Sequence, residues 1–284
     1  MIIDMHTHIF PDKMAANVID KLSRTSGSVA FSDGTTSGLS KSMKQAGVDL
    51  SIILPVATNP HQVEHVNDRA FELNSEYYDK GICSFACIHP DYEKYQVELL
   101  RIKGLGFKGI KVHPVYQGTD IDDIKFLKIF EYAAKLDLIV VTHAGLDIGF
   151  PGEVKCSPKM CRHVVDEIGD FKFVLAHMGG WKNWDEVPEY LADTKVYIDT
   201  AFSTGFIKPR PDSQWNEADL AMLDAAQFMK LFEAFGADRI LFGTDSHWSS
   251  QRESINFIEQ LPISEEDKKN ILGDNAARIL NIIL

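Results

Sequence analysis

No apolar run in the 284-residue chain approaches the ~20 residues needed to span a bilayer, which excludes a transmembrane helix. Basic charge is in the minority: 29 Lys and Arg stand against 41 Asp and Glu, a formal net charge of -12. With no dense basic run to displace phosphate counterions, nucleic acid and anionic membrane surfaces are excluded as partners. Cysteine is scarce, and Cys83, Cys87, Cys156 and Cys161 show no paired zinc-knuckle spacing, so they read as reduced thiols rather than a disulfide framework. No basic leader or cleavage site precedes MIIDMH, so a cytoplasmic protein is expected. Nor does any linker, low-complexity tract or short repeat divide the chain, and a single domain over residues 1–284 is expected.

What the chain does contain is a regular alternation. Apolar runs lie at 2–6, 50–55, 82–90, 107–114, 138–145, 171–180, 195–201 and 239–247. Segments of helical periodicity follow them, at 36–46, 62–79, 92–103, 122–135, 157–168, 184–192, 219–235 and 249–260. Eight βα units predict an α/β fold, a closed (β/α)8 TIM barrel, since the first turn lacks the Gly-rich phosphate loop of an open dinucleotide-binding sheet. Gly47, Gly81, Gly104 and Gly236 stand where helix C-termini want a left-handed residue. The tail ISEEDKKNILGDNAARIL reads as a helical closure. Residues 9–35 and 202–218, rich in Gly, Ser, Pro and charge, are too long for simple connections and are expected to be lid loops over the catalytic mouth.

Seven of the ten histidines end predicted strands: His6 and His8, His89, His113, His143, His177 and His247, with Asp245 beside the last. A single strand-end histidine is more often a hydrogen-bonded residue than a ligand. Several converging on one mouth are different, because desolvated imidazoles and a carboxylate need partners and one cation satisfies them together. Alternation puts Lys111 with His113 on one face, and Tyr197 with Asp199. For His143, His177 and Asp245 to point inward, their same-face predecessors Val141 and Ile139, Leu175 and Phe173, and Gly243 and Leu241 must line the barrel.

The segments DMHTHIF, GFKGIKVHP, VTHAG, LAHMGG, FGTDSHW and NILGDNAARIL resemble the amidohydrolase superfamily over essentially the whole chain. The likeness is to its amidohydrolase 2 branch of metal-dependent TIM-barrel enzymes, related to aminocarboxymuconate semialdehyde decarboxylase-type enzymes. The resemblance implies that His6, His8, His143 and Asp245 hold one divalent metal, Zn²⁺ by preference, that Asp245 also acts as general base, and that His177 orients water and substrate. It leaves His177 the alternative of binding a second metal, and further implies a hydrolase acting on a small carbonyl, ester, lactone or amide substrate through metal-activated water. The alternative within the branch is a decarboxylase of an aromatic or unsaturated carboxylic acid with the same ligands. In binuclear relatives a carboxylated lysine bridges two ions, a role open to Lys111; otherwise Lys111 binds a substrate carboxylate or pairs with Asp199. A noncatalytic metal-binding barrel is disfavoured, because a closed structural site needs neither an adjacent base nor a further histidine. Trp181, Trp248, Phe150, Phe202, His113 and His247 are candidates to line the pocket, and Arg210 to reach a substrate carboxylate. The partner expected is a small molecule, with a homodimer left open.

Overall fold

The computed structural model of the chain describes residues 1–216 and 218–282. Its strands, all parallel, are β1 (Ile3–Thr7), β2 (Leu50–Ile53), β3 (Ile82–Ser84), β4 (Ala86–Cys87), β5 (Gly109–Val112), β6 (Ile139–Thr142), β7 (Phe173–Leu175), β8 (Tyr197–Asp199) and β9 (Ile240–Leu241). They pair in the orders β1-β2-β3 and β4-β5-β6-β7-β8-β9. Because β3 and β4 are two halves of one stave interrupted at Phe85, there are eight staves, as the sequence predicts. The ring closes where Met5 N–H donates to the Phe242 carbonyl (2.9 Å) and His8 N–H to that of Ser246 (2.7 Å).

The strands read as unbroken apolar runs because both faces are buried. Ile3, Met5, Ile52, Leu54, Phe85, Ile139, Val141, Val174 and Leu241 pack into the barrel interior together with Ala276, Ala277, Ile279 and Leu280 of the closing helix Asn275–Leu280. Ile53, Ile110, Val112, Val140, Phe173, Leu175, Ile198 and Ile240 form the outer layer against the helices. Inward register thus holds for Val141, Ile139 and Leu241. It fails in β7, where Val174 faces in and Phe173 and Leu175 face out, so regular alternation would aim His177 at the helices. β1 departs as well. Asp4 pairs with Ser51 but Thr7 with Ile53, a bulge of one extra residue that turns the strand end.

Helices Thr36–Ala46, Val63–Tyr77, Tyr95–Gly104, Ile124–Lys135, Pro158–Ile168, Val187–Leu191, Ala225–Phe235 and Gln251–Glu259 occupy the expected intervals. Thr35, Asp123, Ser157, Asp224 and Ser250 cap their N-termini through side-chain oxygens. The capping box of Asp224 with Gln227 starts its helix at Ala225 rather than 219, and the helix expected at 184–192 shrinks to one turn and a half. Gly104 is the last helical residue instead of a left-handed cap; Gly106 carries the positive φ of 89°.

The largest departure lies in residues 9–35. A helix, Asp12–Ser26, replaces the expected loop. Ala15, Val18 and Leu22 recur at helical spacing, Ala15 buried and the other two lining the cavity at the barrel mouth, a pattern obscured in the sequence by the Gly- and Ser-rich residues that follow. Residues 202–218 remain irregular as expected, apart from Glu217, which lies outside the described residues. The two segments are joined: Val29 N–H donates to the Lys208 carbonyl (2.8 Å) and Arg210 N–H to that of Gly27 (2.9 Å). Together they roof the C-terminal end of the barrel. Among the described residues no helix is long and apolar enough to cross a membrane.

Candidate active site

Local backbone irregularity aims the strand-end residues. With Met5 inside the barrel, strict alternation would send His6 outward; the β1 bulge turns His6 and His8 to the mouth instead. His177 and Asp245 reach the mouth on left-handed backbone, φ 62° and 58°, conformations that non-glycine residues keep only where surrounding structure enforces them. Asp245 N–H donates to the His6 carbonyl (2.8 Å), which ties the first and last staves at the site. Beneath them the buried Asp4 carboxylate accepts from Thr244 N (3.0 Å), Thr244 Oγ1 (2.6 Å), Gln251 Nε2 (2.8 Å) and His6 N (3.2 Å). Burial pushes the Asp4 carboxyl up to about 7, against the pull of those donors.

The structure brings His6, His8 and Asp245 into one group. His6 Nε2 lies 3.2 Å from His8 Nε2, and Asp245 Oδ1 lies 3.1 Å from His8 Nε2 and 3.9 Å from His6 Nε2. Donor atoms that share one ion at ~2.0–2.2 Å stand roughly 3–3.5 Å apart, so the spacing suits a common cation. His6 Nδ1 contacts Asp199 Oδ2 at 2.9 Å, the carboxylate–histidine arrangement that fixes a ligand's tautomer and leaves Nε2 with its lone pair. Burial holds the His6 and His143 rings well below the usual histidine range and therefore neutral, the state a ligand requires. Desolvation, the largest single influence, pushes the Asp245 carboxyl up, but the hydrogen bond from His8 leads the influences that together hold it well below the usual carboxylate range.

His143 does not join that group; its ligand atoms fall instead with those of His113 and Asp147. Its tautomer nevertheless suits a metal. His177 Nδ1 donates to the Ala201 carbonyl (2.8 Å), so in the neutral rings His177 Nε2 accepts from His143 Nδ1 (3.0 Å) and the proton of His143 resides on Nδ1. His143 Nε2 is then a buried lone pair, and it has no partner among the described residues. That orphaned acceptor, with the convergent trio, fits a divalent cation. Lys111 Nζ sits 3.3 Å from His6 Nε2, so its near neighbour is the imidazole rather than Asp199. Burial pulls its ammonium down to about 8, opposed by the charges of Asp199 and Asp245.

These groups form the floor of a cavity of about 430 Å³. Its walls are largely apolar, with Phe10, Val18, Leu22, Leu54, Phe202 and Trp248 among them. Trp181, His113 and His247 also line it, as expected; Trp181 Nε1 and both His247 ring nitrogens are buried without partners among the described residues, and burial pushes His247 down to about 4. Arg210 does not reach the cavity. It is paired with Asp212 (2.8 Å) on the lid segment, because that acid two residues away captures the guanidinium. His89 is buried apart from the cavity, accepting from Asp91 N–H (3.1 Å), and Phe150 stays on the rim against Tyr116. Sequence reasoning missed Asp147, which lies in no regular element; its one signal was a lone acid four residues beyond His143.

The loop that carries Asp147 is anchored by Gly145. Its φ is 86°, and a Cβ there would stand 2.2 Å from Trp181 N and 2.4 Å from Trp181 O. Gly145→Ala is expected to cost at least about 2 kcal/mol, measured by urea unfolding, since neither backbone can withdraw without breaking the Leu146 and Trp181 hydrogen bonds. A loss under 0.5 kcal/mol, roughly that of an ordinary surface substitution, would contradict this.

A family model described as amidohydrolase matches residues 3–282. In three dimensions the chain is similar to an uncharacterized TIM-barrel protein from Bordetella bronchiseptica, at TM-score 0.73 and 16% identity, with 99% of this chain and 98% of that one covered. It is similar to 5-carboxyvanillate decarboxylase LigW from Sphingomonas paucimobilis, at TM-score 0.71 and 16% identity, with 99% of each covered. A third is a dihydroxybenzoic acid decarboxylase from Polaromonas sp. JS666, solved with bound manganese and 2-nitroresorcinol, at TM-score 0.68 and 16% identity, with 99% and 97% covered. At such identities the likeness establishes the barrel. No curated protein matches the chain in sequence.

Proposed function

This chain belongs to the amidohydrolase family of metal-dependent enzymes, and from that premise we propose that it is a carboxy-lyase, removing CO2 from a small aromatic or unsaturated carboxylic acid. This reverses the order of the two reactions expected from the sequence. The observation that carries it is the Lys111 ammonium, buried on the polar floor of a cavity with largely apolar walls and beside the candidate ligand His6. A carboxylate brought to that floor meets a fixed cation. A largely apolar wall favours conversion of a charged carboxylate into neutral CO2. The volume suits a single-ring acid. The decarboxylases among the structural relatives agree with this reading.

We assign His6, His8, His143 and Asp245 to the cation, and Zn²⁺ as the ion that an imidazole-rich set prefers. When bound, a divalent cation supplies electrostatic stabilisation of the negative charge that develops as CO2 leaves. The chain's own residues do the rest. Lys111 holds the departing carboxylate by charge, and Asp199 orients His6. Asp245, ionised and 12% exposed on the cavity floor, would take a proton from water and relay it to the substrate carbon that loses CO2. His177 fixes the His143 tautomer. The helix Asp12–Ser26, through Val18 and Leu22, and Phe202 wall the cavity.

The deciding assay offers benzoic, hydroxybenzoic and unsaturated acids for CO2 release beside a panel of esters, lactones and amides. Hydrolysis without CO2 release would retire the proposal. Stripping the metal with a chelator is expected to abolish turnover, and one equivalent of Zn²⁺ per chain to restore it. Reloading should raise Tm by about 5–10 °C at saturating ion, given ~2.7 kcal/mol at a hundredfold excess over Kd. Full activity in the stripped protein would exclude the cation from the reaction.

A further inference from the structure

We propose that Asp147, braced by His113, is a second polar subsite of the cavity and takes a hydrogen-bond donor, a hydroxyl or amino group, that the substrate carries away from its reacting carboxylate. The inference rests on the decarboxylase reading and adds to it a substituent the substrate must bear. Asp147 is 5% exposed and lines the cavity under the roof, next to Gly149 and Thr25. Its Oδ1 accepts from Gly149 N–H at 2.7 Å. Among the described residues its Oδ2 meets His113 Nε2 alone, at 3.4 Å, long for a hydrogen bond to a carboxylate. Among the described residues no lysine or arginine forms an ion pair with it.

His113 does not supply a counter-charge. Its Nδ1 accepts from Tyr116 N–H (3.4 Å), so the ring is neutral and its proton is on Nε2, directed at Asp147. The ring is clamped between Tyr116 (centroids 3.8 Å apart) and His143 (4.3 Å), so it does not swing to shorten the contact. A buried carboxylate with one backbone donor and one long imidazole contact is short of donors, and a missing donor in a low-polarity cavity is costly. The ligand that relieves this brings an N–H or O–H. Asp147 groups with His113 and His143 rather than with His6, His8 and Asp245, so that substituent is met on the His113 side of the cavity.

The test is a binding titration on the metal-loaded protein, read by the fluorescence of the cavity residues Trp181 and Trp248. The probes are 3- and 4-hydroxybenzoate and 4-aminobenzoate against their methoxy counterparts, which accept but do not donate. In the wild type at least one donor-bearing acid is expected to bind about 10-fold or more tighter than its methoxy counterpart, the effect of one hydrogen bond to a charged acceptor. Asp147→Asn keeps an oxygen for Gly149 and places an amide N–H where Oδ2 stood, so the preference should vanish or invert. Equal affinities in the wild type would overturn the proposal, as would a preference that survives in Asp147→Asn. If that variant fails to fold, the wild-type panel decides alone. A second equivalent of metal in the wild type that Asp147→Asn loses would also overturn it, by giving His113, His143 and Asp147 to a cation. Donor preference without CO2 release would retain the subsite and retire the decarboxylase; CO2 release from hydroxy and methoxy acids alike would do the reverse.

Discussion

Asp245→Asn is expected to lower CO2 release by at least about 10³-fold while leaving the fold intact. Two losses combine. The carboxylate that accepts from His8 (3.1 Å) and faces His6 (3.9 Å) becomes a neutral amide, which weakens its hold on a cation. The proton carrier of the floor disappears with it, itself a change of roughly 10²–10⁴. The backbone tolerates the change, because asparagine adopts the φ of 58° found here as readily as aspartate. Circular dichroism and Tm of the stripped protein should therefore match the wild type, while kcat collapses and metal content falls below one equivalent. Activity within tenfold of wild type, with metal retained, would remove Asp245 from the reaction.

Asp199→Ala is expected to destabilise the stripped protein by about 3 kcal/mol or more, and to weaken metal binding by roughly 10–100-fold. The buried carboxylate takes three donors: His6 Nδ1 (2.9 Å), His177 N (3.0 Å) and Ala201 N (3.0 Å). Burial raises its pKa, and His177, Lys111 and the two backbone amides pull it back. Truncation strands all three donors in the barrel interior, where no water replaces the acceptor. Asp199→Asn separates the two effects. It keeps one oxygen for the amides and so should lose less stability. Its amide N–H now faces His6 Nδ1, however, favouring the tautomer that protonates Nε2, so metal affinity should fall nearly as far as in the alanine variant. Urea unfolding of the stripped proteins and a competitive metal titration measure the two quantities. Unchanged metal affinity in both variants would remove Asp199 from the support of His6.

Much of the architecture was legible because barrel staves and helices differ in period over short distances. The eight apolar runs, and the intervals of the helices from Thr36–Ala46 to Gln251–Glu259, follow from local patterning that tertiary packing merely reinforces. The helix Asp12–Ser26 escaped because its apolar face of Ala15, Val18 and Leu22 is narrow, with Val18 and Leu22 turned to the cavity. Asp147 escaped because an isolated acid in a loop has no spacing to report. Arg210 misled because charge alone does not say which partner will capture it.

The primary structure by itself determined that staves would alternate with helices, and that histidines and one aspartate would collect at the carboxyl ends of those staves. Only the folded molecule decided which way each points. A one-residue bulge in β1 and the left-handed backbone at His177 and Asp245 override the two-residue alternation of a strand. Side-chain direction at a stave's end is set by how the chain leaves the barrel, and that depends on hydrogen bonds to neighbouring staves, such as Asp245 N–H to the His6 carbonyl, whose partners are hundreds of residues apart in the chain.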